Sequence, residues 1–317
     1  MARPLRISYP GAFYHVTSRG NERKKVFNSK KDREQFLSYL ESAVIRYGAV
    51  IHAYCLMDNH YHLLLETPSA NLSQIMRHIN GAYTTYFNIK HKRVGHLFQG
   101  RFKAILVDKD AYAKELSRYI HLNPVRAKMV EAPEKYQWSS YPYYAGKRKN
   151  PDWLNINFIL GYFGDRPQKA SKEYQHFVTS IIDKEYESPL IHTVASALLG
   201  NPQFIDDIKK KYISGRSKDP NIPALKCLLK KPELKEICDA VDDVLGDSHG
   251  VARNAKIYIA QTHTGKSLRE IGDYFNIGES GVSQATRRVV LKIQKDRKMK
   301  RLINQVETAL NLSRIKT

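Results

Sequence analysis

Two histidines with a single residue between them are the first residues in this chain whose types and spacing could support chemistry. His60 and His62 lie in residues 58–66 (DNHYHLLLE), a segment typical of a β-strand. Side chains on a strand alternate between two faces, so both imidazoles would share one face, close enough to bind one metal ion. Tyr61 would then turn to a core on the other face. The alternative is a pair of hydrogen-bonded polar residues at the end of a strand.

A tyrosine and an asparagine four residues apart, Tyr119 and Asn123, supply the second part of a possible active site. On a helix they would lie one above the other on the same face. The side-chain oxygen of Asn123 could be the third ligand of a hard divalent cation, with coordination positions left open for a phosphate oxygen. The cation would withdraw charge from that phosphate. Tyr119, whose phenol has an ordinary pKa near ~10 and needs help to ionise, would attack the phosphorus atom. Alternatively, Tyr119 is structural and Asn123 only caps the helix before Pro124.

The charge of the chain identifies a polyanion as the expected partner. Lys and Arg outnumber Asp and Glu by 52 to 31, which gives a net charge of +21 and favours nucleic acid over an anionic membrane. The net charge is +14 over residues 1–150, −2 over residues 151–250 and +9 over residues 251–317. Two basic modules separated by a near-neutral segment account for this pattern. General basicity for solubility is the alternative, but it does not predict the neutral segment.

If the attacked phosphate belongs to DNA, Tyr119 would remain joined to one DNA end and the other end would carry a free hydroxyl. Because the covalent link preserves the bond energy for rejoining, this chemistry needs no nucleotide cofactor.

The three cysteines, Cys55, Cys227 and Cys238, form no CxxC pair and fit a reducing compartment. No run of 18 apolar residues occurs, so we expect no membrane span and a cytoplasmic, nucleoid-associated protein.

The elements that must position these residues follow from hydrophobic periodicity and from Gly and Pro punctuation. Strands are predicted over residues 11–18, 50–57 and 58–66, with a strand pair or one bulged strand over 96–108. Helices are predicted over 32–47, 71–88 and 110–123. This order predicts an α+β domain with an antiparallel sheet. The last helix should end at Asn123 because a proline disfavours helix at the residue before it.

Basic residues near the predicted strand pair could follow a phosphate backbone. They are Lys92, Arg93, Arg101 and Lys103. Phe98 or Phe102 could stack on bases, or both phenylalanines could belong to the core.

The last part of the chain has the pattern of a helix-turn-helix. Residues 252–262 are apolar at helical spacing, residues 267–275 open with the capping box Ser267-x-x-Glu270, and residues 280–292 form a second helix after a short turn. The polar face of that second helix would meet the major groove of DNA. Its residues are Ser283, Gln284, Arg287 and Arg288. An ordinary helix hairpin is the alternative.

The motif His60-Tyr61-His62, followed by Tyr119 and by Asn123-Pro124, resembles that of the REP-associated tyrosine transposases, within the His-hydrophobic-His single-tyrosine superfamily. The strings YCLMDNHYHLLLE, GHLFQGRFKAILVD and SRYIHLNPVRA extend the resemblance over roughly residues 1–145. It implies that Tyr119 is the nucleophile and that His60, His62 and Asn123 occupy the metal-ligand positions. It also implies a ferredoxin-like sheet, Mg²⁺ or Mn²⁺, and single-stranded DNA with hairpins as the substrate.

Residues 250–295 resemble the C-terminal helix-turn-helix domain of the DnaA replication initiator, which implies duplex DNA as a partner. No GxxxxGK[ST] loop accompanies it, so initiator function is not implied. The whole chain is thus expected to be a ferredoxin-like α+β catalytic domain (1–147), a helical connecting region (148–245) and a helix-turn-helix domain (246–317). Within 153–245 the clearest predicted helices span 189–199 and 232–245.

The leading interpretation is a metal-dependent endonuclease and strand transferase that acts on single-stranded DNA through a 5′-phosphotyrosine. A non-catalytic DNA-binding regulator derived from a transposase is one alternative. A metal-dependent hydrolase, in which His60 and His62 activate water, is another. The DNA target sequence and the oligomeric state stay open at this point.

Overall fold

The computed structural model describes residues 5–182, 184, 186–213, 222, 232–246 and 249–310. The chain divides into two compact units. The N-terminal unit comprises residues 6–190 and 197–199, and the C-terminal unit comprises residues 1–5, 191–196 and 200–317.

The N-terminal unit is built on one five-stranded sheet. Its strands are β1 (Ala12–Arg19), β2 (Val50–Leu56), β3 (His60–Thr67), β4 (Lys103–Val107) and β5 (Leu198–Leu199), in the order β2-β3-β1-β4-β5. The first four strands pair antiparallel, and with the two helices between them they give the ferredoxin-like order that was predicted. The α+β class is therefore confirmed. The fifth strand departs from the prediction, because Leu198 and Leu199 pair parallel to β4 and make the sheet mixed.

Helices cover both faces of this sheet. They are α1 (Lys30–Tyr47), α2 (Leu72–Lys90), α3 (Lys109–Arg126), α4 (Tyr141–Tyr144), α5 (Asn157–Leu160) and α6 (Pro167–Thr179). Helix α1 begins at a capping box between Ser29 and Asp32 and ends at Gly48, whose φ of 63° is left-handed. Both ends follow from the sequence, because a serine caps a helix start and glycine adopts a positive φ without steric cost.

The two sheet faces have different partners. On one face, the Tyr61 hydroxyl donates to Asn80 of α2 at 2.6 Å, and the Tyr61 ring lies 4.8 Å from that of Phe36 in α1. On the other face, Leu64 shares a buried apolar cluster with Leu116 and with other residues of α3. The alternation predicted for residues 58–66 is therefore observed, and the histidine face is the one that α3 covers.

Helix α3 continues beyond the predicted end, through Pro124 to Arg126. Pro124 has no N–H and so removes one helical hydrogen bond. The N–H groups of Ala127 and Met129 still donate to the carbonyl oxygens of Asn123 and Pro124, each at 2.9 Å, and these bonds close the final turn. The prediction that the helix ends at Asn123 was wrong for this reason.

A buried chain of hydrogen bonds holds α3 from behind. His121 Nδ1 lies 2.6 Å from the Tyr174 hydroxyl, and His121 Nε2 lies 2.6 Å from Ser140 Oγ. The Tyr174 hydroxyl donates in turn to Ser117 Oγ at 3.0 Å. Burial lowers the pKa of His121 to about 3, so its imidazole is neutral, with one donor nitrogen and one acceptor nitrogen. Residues of α6 thus belong to the same core as the helix that carries Tyr119.

The described part of the C-terminal unit is helical. Its helices are α7 (Pro202–Ile208), continued by a π-helical segment (Lys209–Ile213), α8 (Leu234–Leu245), α9 (His249–His263), α10 (Leu268–Phe275), α11 (Glu279–Lys295) and α12 (Arg297–Ala309). Residues 189–199, predicted to be a helix, instead form a short 3₁₀ helix (Pro189–His192) and then β5. Helices α8 to α12 share one apolar cluster. No helix among the described residues is long and apolar enough to cross a membrane.

Helices α10 and α11 follow one another across a short turn, and a helix-turn-helix DNA-binding role for them stays a prediction. Ser267 and Glu270 make the reciprocal capping box, and Asn276, with a left-handed φ of 52°, ends α10. The turn closes tightly over Gly272, where a Cβ atom would lie 2.5 Å from the Ile277 carbonyl oxygen. Only glycine fits at that position, which explains why a helix former does not occupy it.

Candidate active site

The two histidines of β3 lie on the sheet face that α3 covers, with ring centres 5.0 Å apart. Strand pairing fixes this arrangement, because Arg19 and Thr17 of β1 stand directly opposite His60 and His62. His62 is buried and His60 is half-buried. The pair therefore lies at the margin of the core, where one imidazole remains accessible to a substrate.

Tyr119 meets the histidine pair from the helix side. Its ring lies edge-on to His62, with 5.8 Å between the ring centres and an angle of 89° between the planes. The Tyr119 side chain is partly exposed, because α3 presents it at the end of the apolar cluster. The structure thus places together two of the predicted site residues that are 57 positions apart in the chain.

Asn123 lies one helical turn after Tyr119, and its Nδ2 donates to the Tyr119 carbonyl oxygen at 2.7 Å. Because α3 continues to Arg126, this bond lies within the helix, and Asn123 does not cap a helix end as the alternative supposed. The bond orients the amide so that Oδ1, the atom able to bind a cation, points away from that carbonyl. A ligand role for Asn123 stays a prediction.

A third histidine, His15 of β1, adjoins the pair. Its Nε2 lies 2.9 Å from His62 Nδ1 and the two ring planes differ by 6°. The Tyr119 ring centre is 6.0 Å from that of His15. Diagonal neighbours on one face of an antiparallel pair are within reach for ring side chains. His15 was not predicted from the sequence, since only the register of β1 on β3 brings it next to His62.

Asn59 makes the corresponding contact with His60. Its Oδ1 lies 2.7 Å from His60 Nδ1, while its Nδ2 donates to the Arg23 carbonyl oxygen at 3.1 Å. The second bond fixes which end of the amide faces His60. His60 Nδ1 must therefore be the protonated nitrogen, and the Nε2 lone pair is free.

The three imidazoles are neutral at neutral pH. Burial, aided by the nearby Arg19, lowers the pKa of His60 to about 4, and burial lowers the pKa of His15 to about 4. Burial also holds the pKa of His62 well below its usual range, and the neighbouring His15, His60 and Arg19 act in the same direction. A neutral imidazole is the form that binds metal ions.

These residues fit a divalent cation. His62 Nε2 is buried and has no hydrogen-bond partner among the described residues, and a buried orphan nitrogen of this kind calls for an explanation. No group of three or more His, Cys, Asp or Glu residues able to hold a metal occurs in the described part of the chain. A cation here would therefore be held by two imidazoles, with oxygen atoms completing its coordination.

Cationic side chains surround the pair and the tyrosine. Lys103 is exposed and stands opposite Thr17, which itself stands opposite His62, so all three share one face. Arg19 is exposed and opposite His60. The exposed Arg126 places its guanidinium 5.3 Å from the Tyr119 ring centre. Neither arginine was predicted from the sequence, because Arg19 lies just after the predicted strand 11–18 and Arg126 lies beyond the predicted helix end.

Three further predicted DNA contacts lie in the segment before β4. Lys92 and Arg101 are exposed, whereas Arg93 is half-buried with its guanidinium 5.8 Å from the Phe87 ring centre. Contact of these residues with DNA stays a prediction.

Phe98 and Phe102 are core residues. They are 6% and 8% exposed, and Arg6 covers the Phe102 ring at 3.9 Å. Base stacking on these phenylalanines, which the sequence left open, is therefore excluded in this structure.

In the C-terminal unit, α11 shows the predicted division into an inner and an outer face. Val282 and Val289 are buried. The four polar residues predicted to meet DNA are all exposed: Ser283, Gln284, Arg287 and Arg288. Their arrangement is compatible with a DNA-reading helix, and the contact itself stays a prediction.

Comparison with known proteins bears on the N-terminal unit. Residues 8–123 match the family model described as "Transposase IS200 like", a range that contains the histidine pair, Tyr119 and Asn123. Among solved structures, the chain is similar to a REP-associated tyrosine transposase bound to a REP hairpin, with 16% identity and a TM-score of 0.40 over 52% of this chain and 98% of that one. No curated protein sequence matches the chain.

Proposed function

We propose that the N-terminal unit, in which residues 8–123 match the family model described as "Transposase IS200 like", cuts and rejoins single-stranded DNA through Tyr119. The observation that carries the proposal is the edge-on approach of Tyr119 to His62, at 5.8 Å between ring centres, on an otherwise buried sheet face. An enzymatic nucleophile is activated by an adjacent base or by metal coordination, and the neutral imidazoles beside Tyr119 are able to provide a metal site.

In the proposed reaction, the Tyr119 oxygen forms a bond to phosphorus and the bond from phosphorus to the 3′ oxygen breaks. The departing 3′ oxygen takes up a proton, which balances the proton that the phenol gives up to water. The products are a 5′-phosphotyrosine and a 3′-hydroxyl. Reversal with another 3′-hydroxyl rejoins the strand, so that no nucleotide cofactor is consumed.

The proposed metal ligands are Nε2 of His60, Nε2 of His62 and Oδ1 of Asn123. A divalent cation of the Mg²⁺ or Mn²⁺ class, when bound there, supplies Lewis-acid polarisation of the attacked phosphate. The protein's own part is to hold two neutral imidazoles side by side and to bring Tyr119 against them.

Three positively charged side chains complete the proposed phosphate site. Arg19 and Lys103 rise from the sheet face on either side of Thr17, and both can neutralise backbone phosphates that flank the attacked one. Arg126, beside the Tyr119 ring, can hold a phosphate oxygen with its planar guanidinium.

The proposed substrate of this unit is single-stranded DNA that carries hairpins, the class implied by the sequence resemblance. The C-terminal unit is proposed to hold duplex DNA through the exposed face of α11. Two basic modules separated by a near-neutral segment support this division into a cutting unit and a holding unit.

Replacing Tyr119 by phenylalanine is the direct test. The change removes one hydroxyl and no charge, so the phosphate contacts that determine affinity persist. A labelled single-stranded hairpin is incubated with the protein and Mn²⁺, and a denaturing gel reports the covalent adduct. We expect Tyr119→Phe to lose adduct and cleavage with nearly unchanged DNA affinity, while the control Tyr112→Phe, on the same helix, retains both.

Two other outcomes would identify the alternatives. Cleavage by Tyr119→Phe at the wild-type rate would replace the covalent mechanism with water activation by His60 and His62. DNA binding without cleavage by the wild-type protein would favour the regulator.

The metal part of the proposal has its own test. His60→Ala and His62→Ala should each lose cleavage, and EDTA should abolish it in the wild type. Asn123→Ala should recover partly with excess Mn²⁺, because a water molecule can replace a neutral oxygen ligand. If EDTA leaves the cleavage rate unaltered, the histidine pair is not a catalytic metal site.

A further inference from the structure

We infer that His15 and Asn59 are positioning residues, each accepting a hydrogen bond from the Nδ1–H of one histidine of the pair and thereby directing that histidine's Nε2 lone pair into the site. The inference rests on the proposed function in one respect, namely that the Nε2 atoms of His60 and His62 bind a divalent cation. It concerns residues that neither histidine spacing nor the tyrosine motif identifies.

The Asn59–His60 contact allows only one position for the ring proton of His60. Asn59 Nδ2 donates to the Arg23 carbonyl oxygen, so Asn59 Oδ1 is the atom that faces His60 Nδ1 at 2.7 Å. An amide oxygen can only accept. His60 therefore carries its proton on Nδ1, and the bond holds the ring with Nε2 turned away from the Asp58–Asn59 turn.

In the His15–His62 contact, either ring could carry the shared proton, and cation binding by His62 selects one of the two possibilities. If His15 Nε2 carried the shared proton, His62 would carry its own on Nε2, and that nitrogen could not bind a cation. If His62 Nδ1 donates to His15 Nε2, the His62 Nε2 lone pair is free. Metal-ligating histidines commonly hold their second ring nitrogen in this way.

The same contact has a cost that supports a functional role. His15 Nδ1 and His62 Nε2 are both buried without a hydrogen-bond partner among the described residues. An apolar pair at these positions would avoid two unsatisfied buried polar atoms, each of which destabilises the fold. Stability alone therefore does not account for two adjoining histidines in this sheet.

The predicted effect is on metal affinity. Loss of such an outer partner typically weakens metal binding about 10- to 100-fold. His15→Leu removes the acceptor, whereas His15→Gln offers an amide oxygen near the position of Nε2. Asn59→Ala and Asn59→Asp make the corresponding pair for His60. The matched control is His52→Leu, since His52 is also a buried strand histidine (1% exposed) but bonds to Glu66.

The experiment measures Mn²⁺ binding to the full-length protein by electron paramagnetic resonance of the free ion. We expect His15→Leu and Asn59→Ala to bind Mn²⁺ about 10- to 100-fold more weakly than wild type, and His15→Gln, Asn59→Asp and His52→Leu to stay close to it. Circular dichroism confirms that each variant is folded. Wild-type affinity in His15→Leu and Asn59→Ala would overturn the inference, as would equal losses in the leucine and glutamine variants of His15.

A second measurement needs no variant. Long-range ¹H–¹⁵N correlation spectra of the Mg²⁺-loaded wild-type protein report which ring nitrogen of each histidine carries the proton. We expect Nδ1–H for both His60 and His62, and a proton on Nε2 of either would overturn the inference. Failure of the proposed function is distinguishable, because the wild-type protein would then neither bind Mn²⁺ at this site nor nick DNA.

Discussion

Replacing Tyr174 by phenylalanine should destabilise the N-terminal unit by about 1–3 kcal/mol, the cost of an unsatisfied buried polar group. The change removes one oxygen atom and keeps the ring, which packs edge-on against Phe163 at 5.3 Å. No cavity of methyl size results. The effect therefore reports the hydrogen-bond chain behind α3 and not the apolar packing around it.

The magnitude follows from which atoms lose a partner. His121 Nδ1–H, fully buried, loses its acceptor at 2.6 Å. Ser117 loses an incoming donor, but its own hydroxyl still donates to the Lys114 carbonyl oxygen at 2.7 Å. The expected loss in the free energy of unfolding therefore corresponds to one buried donor without an acceptor, not two.

Tryptophan fluorescence during urea unfolding is the suitable assay. The chain contains two tryptophans, Trp138 and Trp153, and both belong to the N-terminal unit. The signal therefore follows unfolding of the unit that holds Tyr174. The control is Tyr162→Phe, whose side chain is 39% exposed and whose hydroxyl makes a 3.3 Å bond to Lys109; it should change the free energy of unfolding by less than about 0.5 kcal/mol.

A double-mutant cycle sharpens the test. His121→Leu combined with Tyr174→Phe removes both partners, so the double variant should lose less than the sum of the two single losses. If Tyr174→Phe unfolds at the wild-type urea midpoint, or if the two losses simply add, the hydrogen-bond chain does not stabilise this core in the way described.

Two further predictions concern acid stability and the division of labour. Burial raises the pKa of Asp32, but hydrogen bonds from Lys90, His91 and the Asn28 N–H outweigh burial and lower the pKa to about 2. The ionised Asp32 therefore stabilises the folded state. Its contribution is complete above the unfolded pKa of 3.8 and is lost as the pH falls toward 2. The urea midpoint of Asp32→Asn should thus lie below that of wild type at pH 6 and approach it as the pH falls toward 2, and a pH-independent difference would contradict the assignment. A chain truncated after residue 199 should bind duplex DNA more weakly and with less salt dependence, because it releases fewer counterions. It should still nick a single-stranded hairpin through Tyr119. Unchanged duplex affinity would contradict the proposed role of the C-terminal unit.

The elements that carry the site could be predicted from the sequence because each has a local pattern. Alternation over residues 58–66 separates His60 and His62 from Tyr61. The four-residue spacing places Tyr119 and Asn123 on one helical face. The capping box at Ser267 fixes the start of α10. In each case the interacting residues lie within a turn or a strand of each other.

The features that could not be predicted depend on long-range pairing. His15 is 47 positions before His62, and nothing within β1 indicates which β3 residue it will face. Tyr174 bonds to His121 across 53 positions, so a region without visible chemistry turned out to contribute core to the N-terminal unit. The end of α3 was predicted wrongly from Pro124, because the loss of one hydrogen bond near a helix end is offset by the bonds that close the final turn.

The parallel pairing of β5 with β4 has a consequence for synthesis and for the choice of fragments. Until residues 198–199 leave the ribosome, β4 exposes an unpaired backbone edge while residues 108–197 are being added, which takes roughly 5 to 20 seconds at typical translation rates. An open edge of this kind invites pairing with another chain. A recombinant fragment that stops at residue 147 would keep this edge open permanently, so a soluble preparation of the N-terminal unit should extend through Leu199.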